Sequence, residues 1–129
     1  LALGRPDLLP CLVLDRRNVR LHAGLFSDTL PAFFAGEAMR GRRVAFAHID
    51  VDLYSSTRTV LRALAPRLTA GSVLRFDEWV APFAAAGTAS EEDAFRAVAA
   101  SAGIAWKCVS WCGQGVTVLV IEDPPPPAT

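Results

Sequence analysis

The sequence predicts an α/β fold in which a mostly parallel sheet lies between two layers of helices. Segments with strand-like and helix-like patterns alternate in the order β-α-β-α-β-α-β-β, which favours parallel strands joined by helices. Only Gly113-Gln114-Gly115 separates the last two strands, so we expect an antiparallel hairpin that adds an antiparallel edge strand to the sheet. The 129 residues have the length of one domain, which we assign to residues 1–123, followed by a proline-rich tail at 124–129.

The first half of the predicted sheet rests on short local patterns. Residues 19–23 alternate apolar and polar side chains, as expected of a short strand. A helix then opens at Ser27 and ends at Gly41. Residues 44–49 form a nearly continuous apolar run, which is typical of a strand that is buried on both faces.

The second half has clearer boundaries. A helix from Tyr54 carries leucines at helical spacing and ends before Gly71. Ser90, followed by three acidic residues, is typical of the start of a helix, and Gly103 marks its end. The remaining strands, which are apolar or alternating runs, cover residues 72–76, 105–112 and 116–122.

Composition excludes several classes of protein. The chain is 52% hydrophobic, with thirteen basic and thirteen acidic residues and zero formal net charge. It is therefore too apolar to be disordered, and it lacks the basic field that would hold a nucleic acid or a membrane surface. The three cysteines have no CxxC spacing, which argues against a disulfide or zinc scaffold and favours a cytoplasmic location.

Acidic residues follow two of the predicted strands. Asp50 and Asp52 follow the 44–49 strand, and Asp77 and Glu78 follow the next one. In open α/β sheets, ligands bind at the carboxyl ends of the strands. If the two strands are neighbours, these carboxylates repel one another unless a cation binds, and oxygen ligands favour Mg²⁺. Alternatively, Asp52 or Ser55 caps the following helix and Glu78 is solvated; the pattern alone leaves both hypotheses open.

Longer stretches around these carboxylates resemble the macrocin O-methyltransferase (TylF) family. The resemblance rests on Ala47-His-Ile-Asp-Val-Asp-Leu-Tyr-Ser-Ser-Thr57 and Phe76-Asp-Glu-Trp79, and more loosely on Gly24-Leu-Phe-Ser-Asp-Thr-Leu-Pro31. It covers residues 19–122. These enzymes use S-adenosylmethionine and have a Rossmann-like fold of three layers. The present chain is similar to the C-terminal half of that fold only.

The resemblance implies a role for each acidic residue of the two strand ends. Asp50 corresponds to a metal ligand and general base, and Asp77 and Glu78 correspond to the pair that completes the metal site. The family usually has Asp or Asn where this chain has Glu78, so its ligand geometry differs by one methylene. In such a site a divalent ion, Mg²⁺ by expectation, lowers the pKa of an acceptor hydroxyl and Asp50 takes its proton.

The resemblance also implies a cofactor and a substrate. Gly24, Leu25, Phe26 and Ser27 correspond to residues near the adenine of S-adenosylmethionine. The methyl acceptor would be a hydroxyl of a small molecule, such as a natural-product sugar. We expect no nucleic-acid or membrane partner, and a homo-oligomer is compatible with this assignment.

Other residues of the motifs are interpreted as structural. Asp52, Tyr54 and Thr57 supply a turn, packing and a helix cap. The three tryptophans pack in the core, and Trp79 alone borders a substrate because it follows the acidic pair. Arg75 lies in a strand that should be buried, where a lone charge is costly. It either pairs with a carboxylate or faces an uncovered side of the sheet.

Two other classes of function remain open at this point. A glycosyltransferase would use Asp50 and Asp52 to hold a metal ion and a nucleotide sugar, but it leaves Asp77 and Glu78 without a role. A non-catalytic half-domain would dimerise through an exposed edge of the sheet.

The cofactor affinity of the chain is a first testable prediction. The family binds its cofactor mainly with a glycine-rich turn in the first βαβ unit, and nothing in this sequence matches that turn. We therefore expect the 129 residues alone to bind S-adenosylmethionine weakly or not at all in isothermal calorimetry. Micromolar affinity would contradict this expectation.

Overall fold

The computed structural model describes residues 19–80, 89–112 and 117–123. These residues contain three helices and four strands, in chain order: α1 (Phe26–Ala35), β1 (Phe46–Ile49), α2 (Tyr54–Leu64), β2 (Val73–Phe76), α3 (Glu91–Ala102), β3 (Ala105–Trp111) and β4 (Thr117–Glu122). Short 3₁₀ turns follow α1 at Glu37–Met39 and α2 at Ala65–Arg67. Cys11, the Gly113–Gly115 linker and the 124–129 tail lie outside the described residues.

The four strands form one sheet in the order β1-β2-β4-β3. β1 and β2 are parallel, and β4 runs antiparallel to both of its neighbours. The α/β class and the antiparallel hairpin are therefore confirmed, but the antiparallel strand lies inside the sheet and not at its edge. β4 is the more apolar strand of the hairpin, whereas β3 carries Lys107 and Ser110, which suit the solvated edge.

One face of the sheet carries the core. Leu74 and Phe76 of β2 and Leu119 and Ile121 of β4 are buried there, together with Ile49 of β1. Helices α2 and α3 contribute Leu61, Leu64, Phe95 and Val98 to the same cluster. On the opposite face, Phe46, His48, Arg75 and Val118 are only half-buried or exposed. Within the described part of the chain the helices therefore cover one face of the sheet. They correspond to one of the two predicted helical layers.

Three predicted boundaries on the N-terminal side are wrong. Residues 19–23 are exposed and form no strand, because a strand needs a hydrogen-bonded neighbour and the described residues offer none there. α1 begins one residue before Ser27 and ends at Ala35, with Gly36 as its C-cap, and so does not extend to Gly41. β1 begins at Phe46, whose side chain is 59% exposed. The strand is therefore not buried on both faces, because no helix among the described residues covers the face that carries Phe46.

Helix α3 begins and ends as predicted. The Ser90 hydroxyl accepts a hydrogen bond from the Asp93 backbone N–H at 3.2 Å, and the Ser90 backbone N–H donates to the Asp93 carboxylate at 2.8 Å. These bonds form a capping box, and they hold the pKa of Asp93 below its ordinary value. Gly103 ends the helix in the left-handed conformation, with φ at +64°.

Removal of this cap should destabilise the fold. We expect Ser90→Ala to lower the free energy of unfolding by about 1 kcal/mol, since the Asp93 N–H loses its partner. Urea unfolding followed by circular dichroism measures the change. Ser27→Ala is the matched control, because the exposed Ser27 hydroxyl bonds to the adjacent Asp28 and caps nothing. Equal effects of the two substitutions would contradict the assignment of the cap.

Candidate active site

The two acidic strand ends lie side by side. The parallel register pairs Ile49 with Phe76, and the Asp77 N–H donates to the Ile49 carbonyl oxygen at 3.0 Å. The hydrogen-bond ladder between β1 and β2 therefore continues to the residue at which each strand ends and its turn begins. The prediction that Asp50 and Asp77 follow neighbouring strands is confirmed, and we call this edge of the sheet the acidic rim (residues 50–52 and 77–78).

The first turn of the acidic rim is built around Asp52. Its φ is +59°, in the left-handed region that Asp and Asn tolerate better than most residues. The Leu53 N–H donates to the Val51 carbonyl across this turn. Asp52 therefore serves as a turn residue, as predicted. Leu53 is the N-cap of α2 and has no side-chain bond, so the hypothesis that Asp52 or Ser55 caps the helix is wrong.

Thr57 has a different role from the predicted helix cap. It is fully buried in the second turn of α2, and its hydroxyl donates back to the Leu53 carbonyl oxygen at 2.9 Å. The same hydroxyl lies 3.4 Å from Oε1 of Glu91. Thr57 thus connects the start of α2 to the start of α3.

The carboxylate of Asp77 is already paired with a cation. Arg75 Nη2 lies 3.1 Å from Asp77 Oδ1, and His48 Nε2 lies 3.7 Å from the same oxygen. The Arg75 guanidinium also contacts the His48 ring. Of the two explanations offered for Arg75, pairing with a carboxylate is observed. The arginine also lies on the less covered face of the sheet, where water can solvate it.

The predicted metal ligands do not form a metal site as they are placed. Across residues 19–80, 89–112 and 117–123, no group of three or more His, Cys, Asp or Glu side chains could hold a metal ion. Mg²⁺ demands several oxygen ligands in near-octahedral geometry, and Asp77 already interacts with Arg75. The residues present therefore do not fit the ion, and the metal roles of Asp50, Asp77 and Glu78 stay predictions.

Glu91 is a residue of the site that sequence reasoning missed. Its side chain is 2% exposed at the first position of α3. Burial raises the pKa of Glu91 to about 7, while interactions with the Val51 backbone, the Thr57 hydroxyl and the Glu78 backbone act in the opposite direction. The sequence does contain a signal for this burial. Glu91 lies four residues before Phe95, which places it on the buried stripe of α3.

The start of α3 lies against the acidic rim and the start of α2. Oε1 of Glu91 lies 3.4 Å from the Thr57 hydroxyl of α2, whereas its buried Oε2 has no hydrogen-bond partner among the described residues. The Glu92 N–H donates to the Trp79 carbonyl oxygen at 3.2 Å, which connects the start of α3 to the residue after the second turn. The position of the rim thus depends on α3 as well as on the sheet.

The predicted cofactor residues lie at the start of α1. Leu25, Phe26 and Ser27 line a cleft of about 170 Å³ together with a polar stretch of α2, namely Ser55, Ser56 and Thr59. Gly24 precedes them with φ at +143°, and a Cβ atom there would lie 2.9 Å from Cγ2 of Thr29. The backbone thus requires glycine at this position. The cleft brings three of the four predicted residues together, and their cofactor role stays a prediction.

Comparison with known proteins identifies the family. Residues 10–112 match the model of the macrocin O-methyltransferase (TylF) family. The chain belongs to this family. Membership favours the methyltransferase hypothesis over the glycosyltransferase one. No curated protein matches the sequence.

A solved structure agrees with this assignment. The chain is similar to apo CalS11, a TDP-rhamnose 3'-O-methyltransferase in calicheamicin biosynthesis, with 28% sequence identity and a TM-score of 0.58. The match covers 77% of this chain and 39% of CalS11, so the chain spans well under half of that enzyme. Among the described residues, no helix is long and apolar enough to cross a membrane.

The burial of Glu91 predicts a pH-dependent stability. Its pKa of about 7 in the folded chain lies above the ordinary 4.5, so the folded state binds the proton more tightly than the unfolded state does. Stability should therefore fall as the pH rises from about 4.5 through 7. Glu91→Gln removes this loss and keeps a carbonyl acceptor. It should raise the free energy of unfolding by about 1–3 kcal/mol at pH 8, with little change at pH 4.

Urea unfolding at the two pH values measures this effect. Glu37→Gln is the matched control, because it removes the same charge from an exposed position. The prediction would be contradicted if Glu91→Gln changed the free energy of unfolding by the same amount at both pH values.

Proposed function

We propose that this chain forms the acceptor side of an S-adenosylmethionine-dependent O-methyltransferase that acts on a sugar hydroxyl of a small molecule. Family membership over residues 10–112 and the similarity to CalS11, which methylates a nucleotide-linked sugar according to its description, support the reaction class. The observation that carries the proposal is the pairing of β1 with β2, which brings an exposed Asp50 beside Asp77.

Asp50 is the residue to which we assign proton transfer. It lies directly after β1 and is exposed among the described residues, so an acceptor hydroxyl can reach its carboxylate. S-adenosylmethionine, when bound, supplies an electrophilic methyl group on a sulfonium leaving group. Asp50 accepts the hydroxyl proton as the acceptor oxygen forms its bond to the methyl carbon and the carbon–sulfur bond breaks. The cleft of Leu25, Phe26 and Ser27 is the proposed contact with the adenine.

Metal assistance is not part of this proposal. The resemblance implies Mg²⁺, but Asp77 would have to exchange Arg75 for the ion before Asp50, Asp77 and Glu78 could act together. No step above depends on the ion. The reaction is therefore tested both with added Mg²⁺ and with a chelator.

A chimera tests the proposed role of Asp50. In this chimera the chain replaces the part of CalS11 that it matches, and transfer of a labelled methyl group to TDP-rhamnose is measured. We expect transfer, and we expect Asp50→Asn to lower kcat by about a hundredfold or more, since the proton acceptor is lost. Asp52→Asn is the matched control: Asn tolerates the left-handed turn, so the rate should stay unchanged.

Circular dichroism and calorimetry with S-adenosylmethionine establish that the chimera is folded and binds the cofactor. A folded, cofactor-binding chimera that transfers no methyl group, with or without Mg²⁺, would contradict the proposed function. Activity that survives Asp50→Asn would exclude Asp50 as the base. Activity that is lost with the chelator would demonstrate metal assistance.

A further inference from the structure

A second cleft lies next to the acidic rim, on the side of α3. It has a volume of about 290 Å³, and we call it the aromatic cleft. The residues that matter for its chemistry are Trp79, Glu92, Arg96, Trp106, Trp111 and Thr117. All three tryptophans of the chain therefore border one small space. The volume lies just below the usual range for ligand pockets, roughly 300–1,000 Å³, and suits a single ring.

A β-bulge brings Trp111 into this cleft. Regular alternation along β3 would place Trp106 and Trp111 on opposite faces of the sheet. The register with β4 shifts between Cys108 and Ser110, so that Trp106 pairs with Ile121 and Trp111 pairs with Thr117. Ile121 and Thr117 share one face of β4, and Trp111 therefore joins Trp106 on the cleft side. Trp111 is 63% exposed, so its indole is accessible to a ligand. Bulges that redirect a side chain in this way are common next to active sites.

A buried hydroxyl group of the aromatic cleft lacks a partner. Thr117 is 1% exposed, and its Oγ1 has no hydrogen-bond partner among the described residues. An unsatisfied buried polar group costs about 1–3 kcal/mol, so its retention calls for an explanation. A ligand hydroxyl in the cleft would satisfy Oγ1.

The charged residues of the cleft neutralise each other. Arg96 Nη2 lies 2.7 Å from Glu92 Oε1, and the Arg96 guanidinium lies 5.2 Å from the centre of the Trp106 ring. The pair has no net charge and so gives no advantage to an anion such as a phosphate. It offers both donors and acceptors at the edge of the cleft, while the indoles offer flat apolar surface.

These features together match the chemistry of a neutral sugar ring. The C–H groups of a pyranose carry partial positive charge and pack on the negative face of an indole. Its hydroxyls can bond to the Arg96–Glu92 pair and to Thr117. The cleft adjoins the end of β2 on the helix-covered face of the sheet, since Thr117 pairs with Phe76, and Trp79 is the second residue after Asp77. The carboxylate of Asp77 points to the other face, where it pairs with Arg75.

We propose that the aromatic cleft binds the neutral sugar ring of the methyl acceptor, with Trp111 stacking on the ring and Thr117 bonding to one hydroxyl. This assignment rests on the proposed function, because it gives a sugar ring of the methyl acceptor a position on the α3 side of the second turn of the acidic rim. It makes Trp111 and Thr117 binding residues of the acceptor site.

Binding of methyl α-L-rhamnopyranoside to the full 129-residue chain tests the assignment. Saturation-transfer difference NMR should show binding of about millimolar affinity, as expected for a single ring. Trp111→Ala should weaken it about tenfold, since the ring loses a stacking partner. Thr117→Val should weaken it by about fivefold without loss of stability, because it removes an unpaired hydroxyl and keeps the shape.

Phe46→Ala is the matched control, because Phe46 is an exposed aromatic residue on the other edge of the sheet, and it should bind like the unsubstituted chain. Absence of binding, or unchanged binding in either cleft variant, overturns the assignment. Competition by thymidine diphosphate alone would assign the cleft to a nucleotide and would also overturn it. No methyl transfer is measured here, so an inactive chimera that retains this binding refutes the proposed function and not the cleft.

Discussion

The hydrogen bond from the Asp77 N–H to the Ile49 carbonyl determines where the chemistry of this chain can lie. It extends the parallel β1–β2 ladder to the residue at which both strands end. Because the bond fixes the two backbones at the same height, the acidic residues that follow must share one edge of the sheet. This bond sets the positions of the turn at Asp52, of the Arg75–Asp77 pair and of Trp79.

The start of α3, which carries a buried carboxyl group, lies against that edge. Oε1 of Glu91 lies 3.4 Å from the Thr57 hydroxyl of α2, and the next residue, Glu92, bonds to the Trp79 carbonyl oxygen after the second turn. The burial of Glu91 has an electrostatic cost that a neutral side chain would avoid. An amide at this position would keep an acceptor for the Thr57 hydroxyl without that cost.

Much of the fold could be predicted because its signals are local. The capping box of Ser90 and Asp93 and the leucine stripe of α2 depend on residues within one or two turns, and the alternation of strands and helices implies that β1 and β2 are parallel. The prediction of a strand at residues 19–23 was wrong because alternation shows which residues suit a strand. It does not show whether a partner strand is present. The burial of Glu91 was missed because acidic residues at a helix start usually remain in water.

The aromatic cleft could not be predicted because a single residue decides it. Period-two alternation places Trp111 on the wrong face, and only the register shift after Cys108 corrects this. Likewise, β4 is an interior strand because β4 and not β3 pairs with β2. Which of the two strands does so depends on the whole sheet and not on a local pattern. The sequence indicates the chemistry of the acidic strand ends but not the surface beside them.

The antiparallel direction of β4 has a consequence for how this site could diversify. In a sheet of parallel strands only carboxyl ends reach the ligand edge, whereas β4 brings its amino end there and presents Thr117. Pairing with Phe76 holds that residue in place independently of the residues that join the hairpin. Changes in the length or sequence of this connection can therefore alter the border of the aromatic cleft while the Thr117 hydroxyl keeps its position.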